Sequence, residues 1–114
     1  MVRRGEIYWL QLAEGIGSEQ AGRRPAIVIQ NDIGNRSSPT TIVAAITSQA
    51  RRRHYPFQVP FTAEESGLQL GGTVLCEQIQ TVDQGRLGDL AGALSREKMG
   101  EVDLALHRSL GLEH

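Results

Sequence analysis

Apolar residues in this chain come in short runs, each ended by glycine, proline or a polar turn, and only the last twenty or so residues change rhythm. The runs Glu6-Ile7-Tyr8-Trp9-Leu10-Gln11-Leu12, Arg24-Pro25-Ala26-Ile27-Val28-Ile29-Gln30, Thr40 to Ser48 and Thr73 to Gln80 have the length and β-branched content of strands. The first carries apolar residues on both faces, so burial on both sides is expected. Tyr55-Pro56-Phe57-Gln58-Val59-Pro60 alternates, and its two prolines, which donate nothing to a ladder, assign it to a sheet edge. Asn31 to Pro39 reads as a polar turn, and Arg51-Arg52-Arg53 as a hairpin tip. From Ser95 onward the period becomes helical. Ser95 is an N-cap, Leu94 and Met99 are spaced as a hydrophobic staple, and Met99, Val102, Leu106 and Leu110 mark one stripe before Gly111. About five strands joined by hairpin-length links, then one helix from about Ser95 to Leu110, predict a mainly β, antiparallel, barrel-like fold with a C-terminal helix.

A chain of 114 residues bounds this to a single domain over 1–114. No apolar run approaches the ~20 residues a membrane helix needs, and the basic start Met1-Val2-Arg3-Arg4-Gly5 lacks the apolar core of a signal peptide. The one cysteine, Cys76, lies in the apolar run Thr73-Val74-Leu75-Cys76 and reads as a small buried hydrophobe. A cytoplasmic chain without membrane contact is expected.

The net charge of −1 does not mark a general nucleic-acid binder, but the charge is unevenly spread. Residues 1–60 hold eight basic and four acidic side chains; residues 61–114 hold four and nine. Eleven of the twelve cations are arginine, the side chain suited to forked contact with phosphate.

Metal and nucleotide motifs are missing. His54, His107 and His114 share no ligand spacing, and HExxH, CxxC, a Walker loop, GxGxxG and GxSxG do not occur. No cofactor is expected. The polar material gathers instead around the long connection Ala13 to Arg23, which holds Gly17-Ser18-Glu19-Gln20 and closes on Arg23-Arg24. If the second and third strands pair antiparallel, Arg24 at the start of one and Thr47 at the finish of the other share an end of the sheet. Glu77-Gln78 ends or interrupts a later strand.

The segment Gly17-Ser18-Glu19-Gln20-Ala21-Gly22-Arg23-Arg24-Pro25, followed by an aliphatic strand, resembles the signature of the MazF/PemK toxins. Arg4-Gly5-Glu6-Ile7-Tyr8, Gln30-Asn31-Asp32-Ile33-Gly34-Asn35, Ala45-Ile46-Thr47-Ser48, Tyr55-Pro56-Phe57 and Glu77-Gln78-Ile79 resemble further segments of that family in the same order, across essentially the whole chain. The resemblance implies an SH3-like antiparallel barrel of the CcdB/MazF toxin type. It also implies the toxin of a type II toxin–antitoxin pair, a metal-independent endoribonuclease acting on single-stranded RNA, a homodimer, and a MazE-like antitoxin partner. It assigns the reactive arginine to Arg24, the strand-end threonine to Thr47 and the loop glutamate to Glu19.

Metal-free cleavage uses the ribose 2′-OH against the adjacent phosphate. Arg24 suits the phosphorane charge, Thr47 can donate to a non-bridging oxygen, and Glu19 or water can take the proton. Arginine's pKa above ~12 makes a neutral Arg24 base costly. RNA contacts are expected from Ser18, Gln20, Arg23, Thr47, Ser48, Arg51, Arg53, Glu77 and Gln78. Neither Arg24 nor Thr47 is expected to fill the core, and the antitoxin's acidic tail is expected along a groove lined by Arg23, Arg24 and Arg51 to Arg53. Two other functions fit the same fold, a CcdB-like gyrase poison and a non-catalytic RNA-binding barrel.

Overall fold

The computed structural model describes residues 1–12, 22–48 and 55–112. Six strands form one antiparallel sheet in the order β4-β5-β3-β2-β1-β6, curled into a half-barrel. They are β1 (Glu6–Leu12), β2 (Gly22–Val28), β3 (Thr40–Thr47), β4 (Gln58–Phe61), β5 (Gly72–Asp83) and β6 (Leu90–Ala93). The helices are α1 (Asp32–Ser37), α2 (Ala63–Ser66) and α3 (Arg96–Ser109). No helix among the described residues is long and apolar enough to cross a membrane.

The sheet is buried on both faces, as the two-faced apolar pattern of β1 demands. Ile7, Ile27, Ala44, Ile46, Val74 and Cys76 face α3, which lays Met99, Val102 and Ala105 against them. The opposite face gathers Leu10, Ala26, Val28, Val43 and Val82 around Val2 and Tyr8. Pleating makes the registers readable as rows of side chains on one face. Tyr8, Ala26, Ala45, Leu75 and Gln58 pair successively across five strands. One row along, Thr47 pairs with Thr73, and Thr73 with Pro60.

The terminal helix matches its expected bounds within a residue. The Ser95 hydroxyl accepts the Lys98 N–H at 3.1 Å, and Leu94 and Met99 meet in the core below it. Tyr55–Pro60 yields the edge strand β4, but pairing starts only at Gln58, because Tyr55 to Gln58 closes a turn through the Gln58 N–H and the Tyr55 carbonyl at 2.9 Å. The sequence expectation fails at Asn31 to Pro39, which is not all turn. Six of these residues form α1, capped by the Asn31 side chain on the Gly34 N–H at 2.8 Å. Asn35 sustains it from below: its side chain is buried and bonded to Gln30, Asp32 and Thr41. Helix α2 carries a full capping box between Thr62 and Glu65. The sheet gains a sixth strand in β6, whose Leu90-Ala91-Gly92-Ala93 has no β-branched residue. Gly92 lets it pass hard against the Ser66 carbonyl, where a Cβ would clash.

Candidate functional site

Residues 13–21 and 49–54 lie outside the described residues, so Ser18, Glu19, Gln20, Arg51 and Arg53, with the expected hairpin tip, have no described position. The structure does locate Arg23, Arg24, Thr47, Ser48, Glu77 and Gln78.

Strands β2 and β3 are antiparallel, with Ala26 opposite Ala45. Arg24 and Thr47 follow two residues beyond that pair, at the same end of the sheet, and alternation puts both on the face of Ala26 and Ala45. Arg24 is exposed, and among the described residues no acid pairs with its guanidinium. Thr47 differs from the expectation. It is 2% exposed, buried in the row it shares with Thr73, because β5 runs alongside it and Gly72 packs on its carbonyl. Ser48, the next residue, is exposed.

Arg23, one residue before Arg24, emerges on the other face. Its guanidinium lies 4.9 Å from the centre of the Trp9 ring, a cation–π contact that holds the cation on the indole. The antiparallel register explains it: Trp9 pairs with Pro25 and Gln11 with Arg23, so Trp9 and Arg23 are diagonal neighbours. Alternation along β2 thus starts the two arginine side chains on opposite sides of the strand. Beside them opens a cavity of about 500 Å³, lined by Trp9, Ile46, Leu68, Leu70, Leu90 and Ala91 together with Arg24 and Ser48.

Glu77 and Gln78 sit where β5 breaks register. Ala44 pairs with Ile79 but Ala45 with Leu75, so Cys76, Glu77 and Gln78 form a bulge. Cys76 stays inside, its thiol pushed up to about 12 by burial and then by the Glu77 charge, which keeps it a neutral packing group. Glu77 is exposed, and its Oε2 accepts the Gln58 Nε2–H at 2.7 Å. The last turn of α3 ties this region down: the Ser109 hydroxyl donates to the Cys76 carbonyl at 2.8 Å, and Arg108 donates to the Pro56 carbonyl at 3.4 Å.

A family model described as "PemK-like, MazF-like toxin of type II toxin-antitoxin system" matches residues 3–110. The chain belongs to this toxin family. Endoribonuclease EndoA of Bacillus subtilis (strain 168) is 48% identical over 112 residues, covering 98% of this chain and 97% of that one. Among solved structures, a mycobacterial endoribonuclease in complex with its cognate antitoxin superposes with a TM-score of 0.81 at 25% identity, covering 100% of this chain and 99% of that one. MazF from Deinococcus radiodurans gives 0.78 at 29%, covering 96% of each chain. In this PemK-like, MazF-like toxin, sequence reading found the Arg24 and Thr47 pair and the interruption at Glu77-Gln78. It missed Trp9, whose link to Arg23 depends on register, and Gln58, which reads as one polar position of an edge strand.

Proposed function

We propose that this endoribonuclease toxin cuts single-stranded RNA at internal phosphodiesters by attack of the ribose 2′-OH, leaving a 2′,3′-cyclic phosphate and a 5′-OH, without a metal ion. The observation that carries the proposal is the β2–β3 register, which brings Arg24, exposed and without an acidic partner among the described residues, to the same sheet end as Thr47. An exposed forked cation suits a phosphate whose charge grows at the transition state.

Arg24 binds the non-bridging oxygens and stabilises the phosphorane. The Thr47 hydroxyl donates to one of them. Because Thr47 is buried in the free chain, RNA must displace what packs over it, so that contact forms on binding. Glu19 or a water molecule takes the 2′-OH proton. Ser48, beside Thr47, and Ser18 and Gln20 of the long loop contact the RNA backbone and bases. Glu77 and Gln78 contact bases along the same face. Arg23 presents its cation from the Trp9 ring, and Arg51 and Arg53 track phosphates by charge alone. Two protomers join to make a continuous RNA groove, and a MazE-like antitoxin lays an acidic tail in it, competing with RNA for the same cations. The reaction takes place in the cytoplasm, on messenger RNA.

The test is incubation of the pure protein with a long single-stranded RNA in chelator, followed by analysis of the product ends. Cyclic-phosphate ends formed in chelator, and survival of a substrate with a single 2′-deoxyribose on the 5′ side of the cut, are expected. Cleavage of that deoxy substrate would overturn the mechanism.

A further inference from the structure

Gln58 is an odd residue to bury. It is 7% exposed, and its Oε1 has no hydrogen-bond partner among the described residues. An unmet buried acceptor is destabilising, and an apolar side chain of the same size would avoid the penalty. The other half of the amide explains its presence. Nε2 donates to Glu77 Oε2 at 2.7 Å, a short, charge-assisted bond. The reverse orientation would set the amide oxygen against a carboxylate, so the unmet Oε1 follows from holding Glu77.

Both partners sit on fixed backbone. The Cys76 N–H donates to the Phe57 carbonyl at 3.1 Å, joining the β5 bulge to the residue before Gln58. Ser109 and Arg108 of α3 bond to Cys76 and Pro56 from the other side. Gln58 also shares a face with the Arg24 and Thr47 pair. It stands across β5 from Ala45, one row from Thr47. Two strand spacings, about 10 Å, separate it from β3. Next to it Tyr55, exposed, stacks flat on Phe57 with ring centres 5.3 Å apart, an aromatic surface of the kind on which single-stranded bases stack.

We propose that Gln58 is a positioning residue for RNA sequence choice: its buried amide fixes the Glu77 carboxylate as an acceptor that selects a nucleobase bearing an exocyclic amino group, excluding uracil at one position beside the cut. The inference rests on the RNA-cleavage reading above and on Glu77 facing that RNA. Adenine, cytosine and guanine each offer an amino donor to a carboxylate, whereas uracil offers only its ring N–H between two carbonyls. A carboxylate free to rotate would rearrange toward either pattern; one held through Oε2 presents Oε1 in a set direction.

The experiment sequences the cleavage ends from a random single-stranded RNA pool, then measures kcat/KM for paired oligonucleotides differing only by uracil at the selected position. Wild-type protein is expected to disfavour uracil there by about tenfold or more, the worth of one charged hydrogen bond. Gln58→Met and Glu77→Gln should each reduce that ratio towards one, and the double variant should reduce it no further. Gln58→Glu supplies a readout that simple packing would not move. At neutral pH its two carboxylates repel and discrimination is lost, while at acid pH they share a proton and part of it returns, a dependence that Gln58→Met lacks. Glu77 is a surface residue, so its variant remains folded whatever happens at Gln58. Wild-type discrimination retained in folded Gln58→Met, or in Glu77→Gln, overturns the proposal, as does a wild-type profile indifferent to uracil throughout. A wild-type protein that cuts no RNA refutes the cleavage reading instead.

Discussion

Removing the Asn35 side chain should unfasten the end of the sheet opposite the proposed reaction site. Its amide makes four hydrogen bonds: Nδ2 donates to the Gln30 carbonyl at 3.0 Å and to Asp32 Oδ1 at 3.2 Å, and Oδ1 accepts from Gln30 Nε2 at 3.0 Å and Thr41 Oγ1 at 2.7 Å. In Asn35→Ala two of these partners have an alternative. Gln30 Nε2 still donates to the Thr40 carbonyl, and Asp32 still accepts the Arg4 N–H. The Thr41 hydroxyl, fully buried, and the Gln30 carbonyl lose their partner. One orphaned buried hydroxyl costs about 1–3 kcal/mol, and the small cavity adds to it, so a loss of about 3 kcal/mol is expected. For a chain of this size that lowers Tm by about 12 °C. Urea denaturation followed by circular dichroism measures it, with a double-mutant cycle through Thr41→Val, which removes the orphan. Asn35→Ala should cost less in that background, giving a coupling of about 1–2 kcal/mol. RNA cleavage at 25 °C should be unchanged, since α1 follows the end of β2 remote from Arg24. A change in stability under 0.5 kcal/mol, or an additive cycle, would show that the network is incidental.

Arg24→Ala should leave the fold intact, being exposed, and lower kcat/KM about a hundredfold or more through lost phosphorane stabilisation; full activity in folded protein would refute the assignment. Gly92→Ala should destabilise by about 2 kcal/mol or more, because its new Cβ meets the Ser66 backbone carbonyl, which cannot swing aside; a Cm within error of wild type would contradict this close approach. Stability should fall between about pH 9 and 12, because burial raises both the Cys76 thiol and the Tyr8 phenol to about 12. The unfolded chain releases these protons first, so rising pH favours unfolding, and Cys76→Ala should flatten that limb. On the acid side the Arg4 N–H and the Asn35 side chain hold the Asp32 carboxyl below its ordinary value. Its contribution is present above that value and lost as pH falls through the folded pKa, so Asp32→Asn should weaken the acid dependence of unfolding.

The strands and the terminal helix were legible because their signals are local. Burial on both faces of β1 to β3 shows as unbroken apolar runs, and Ser95, Leu94 and Met99 mark the start of α3 within a few residues of one another. What escaped depends on distant partners. Helix α1 contains Gly34 and Asn35, poor helix formers, and persists because Asn35 finds Thr41 and Gln30 across a turn. Strand β6 lacks β-branched residues and exists because Gly92 fits against Ser66, twenty-six positions earlier. Neither relation has a local pattern to announce it.

The same division separates the residues of the site. Arg24 could be placed from sequence because it opens a buried strand, and Thr47 because it ends the next; antiparallel pairing alone brings the two to one end. Period-two alternation starts neighbouring Arg23 and Arg24 on opposite faces, and register alone shows that Trp9 is the diagonal neighbour of Arg23. Burial is harder to read than position. Thr47 is buried where β5 extends past Leu75 to pair Thr73 with it. That pairing separates two tests of its role. Thr47→Ser keeps the hydroxyl and removes one buried methyl, which should cost about 1 kcal/mol of stability and spare most of the cleavage rate. Thr47→Val keeps the shape and removes the hydroxyl, which should lower kcat more than Thr47→Ser does, whatever its effect on stability. If the serine variant loses as much kcat as the valine variant at a temperature where both are folded, Thr47 acts by packing and the phosphate contact assigned to it is wrong.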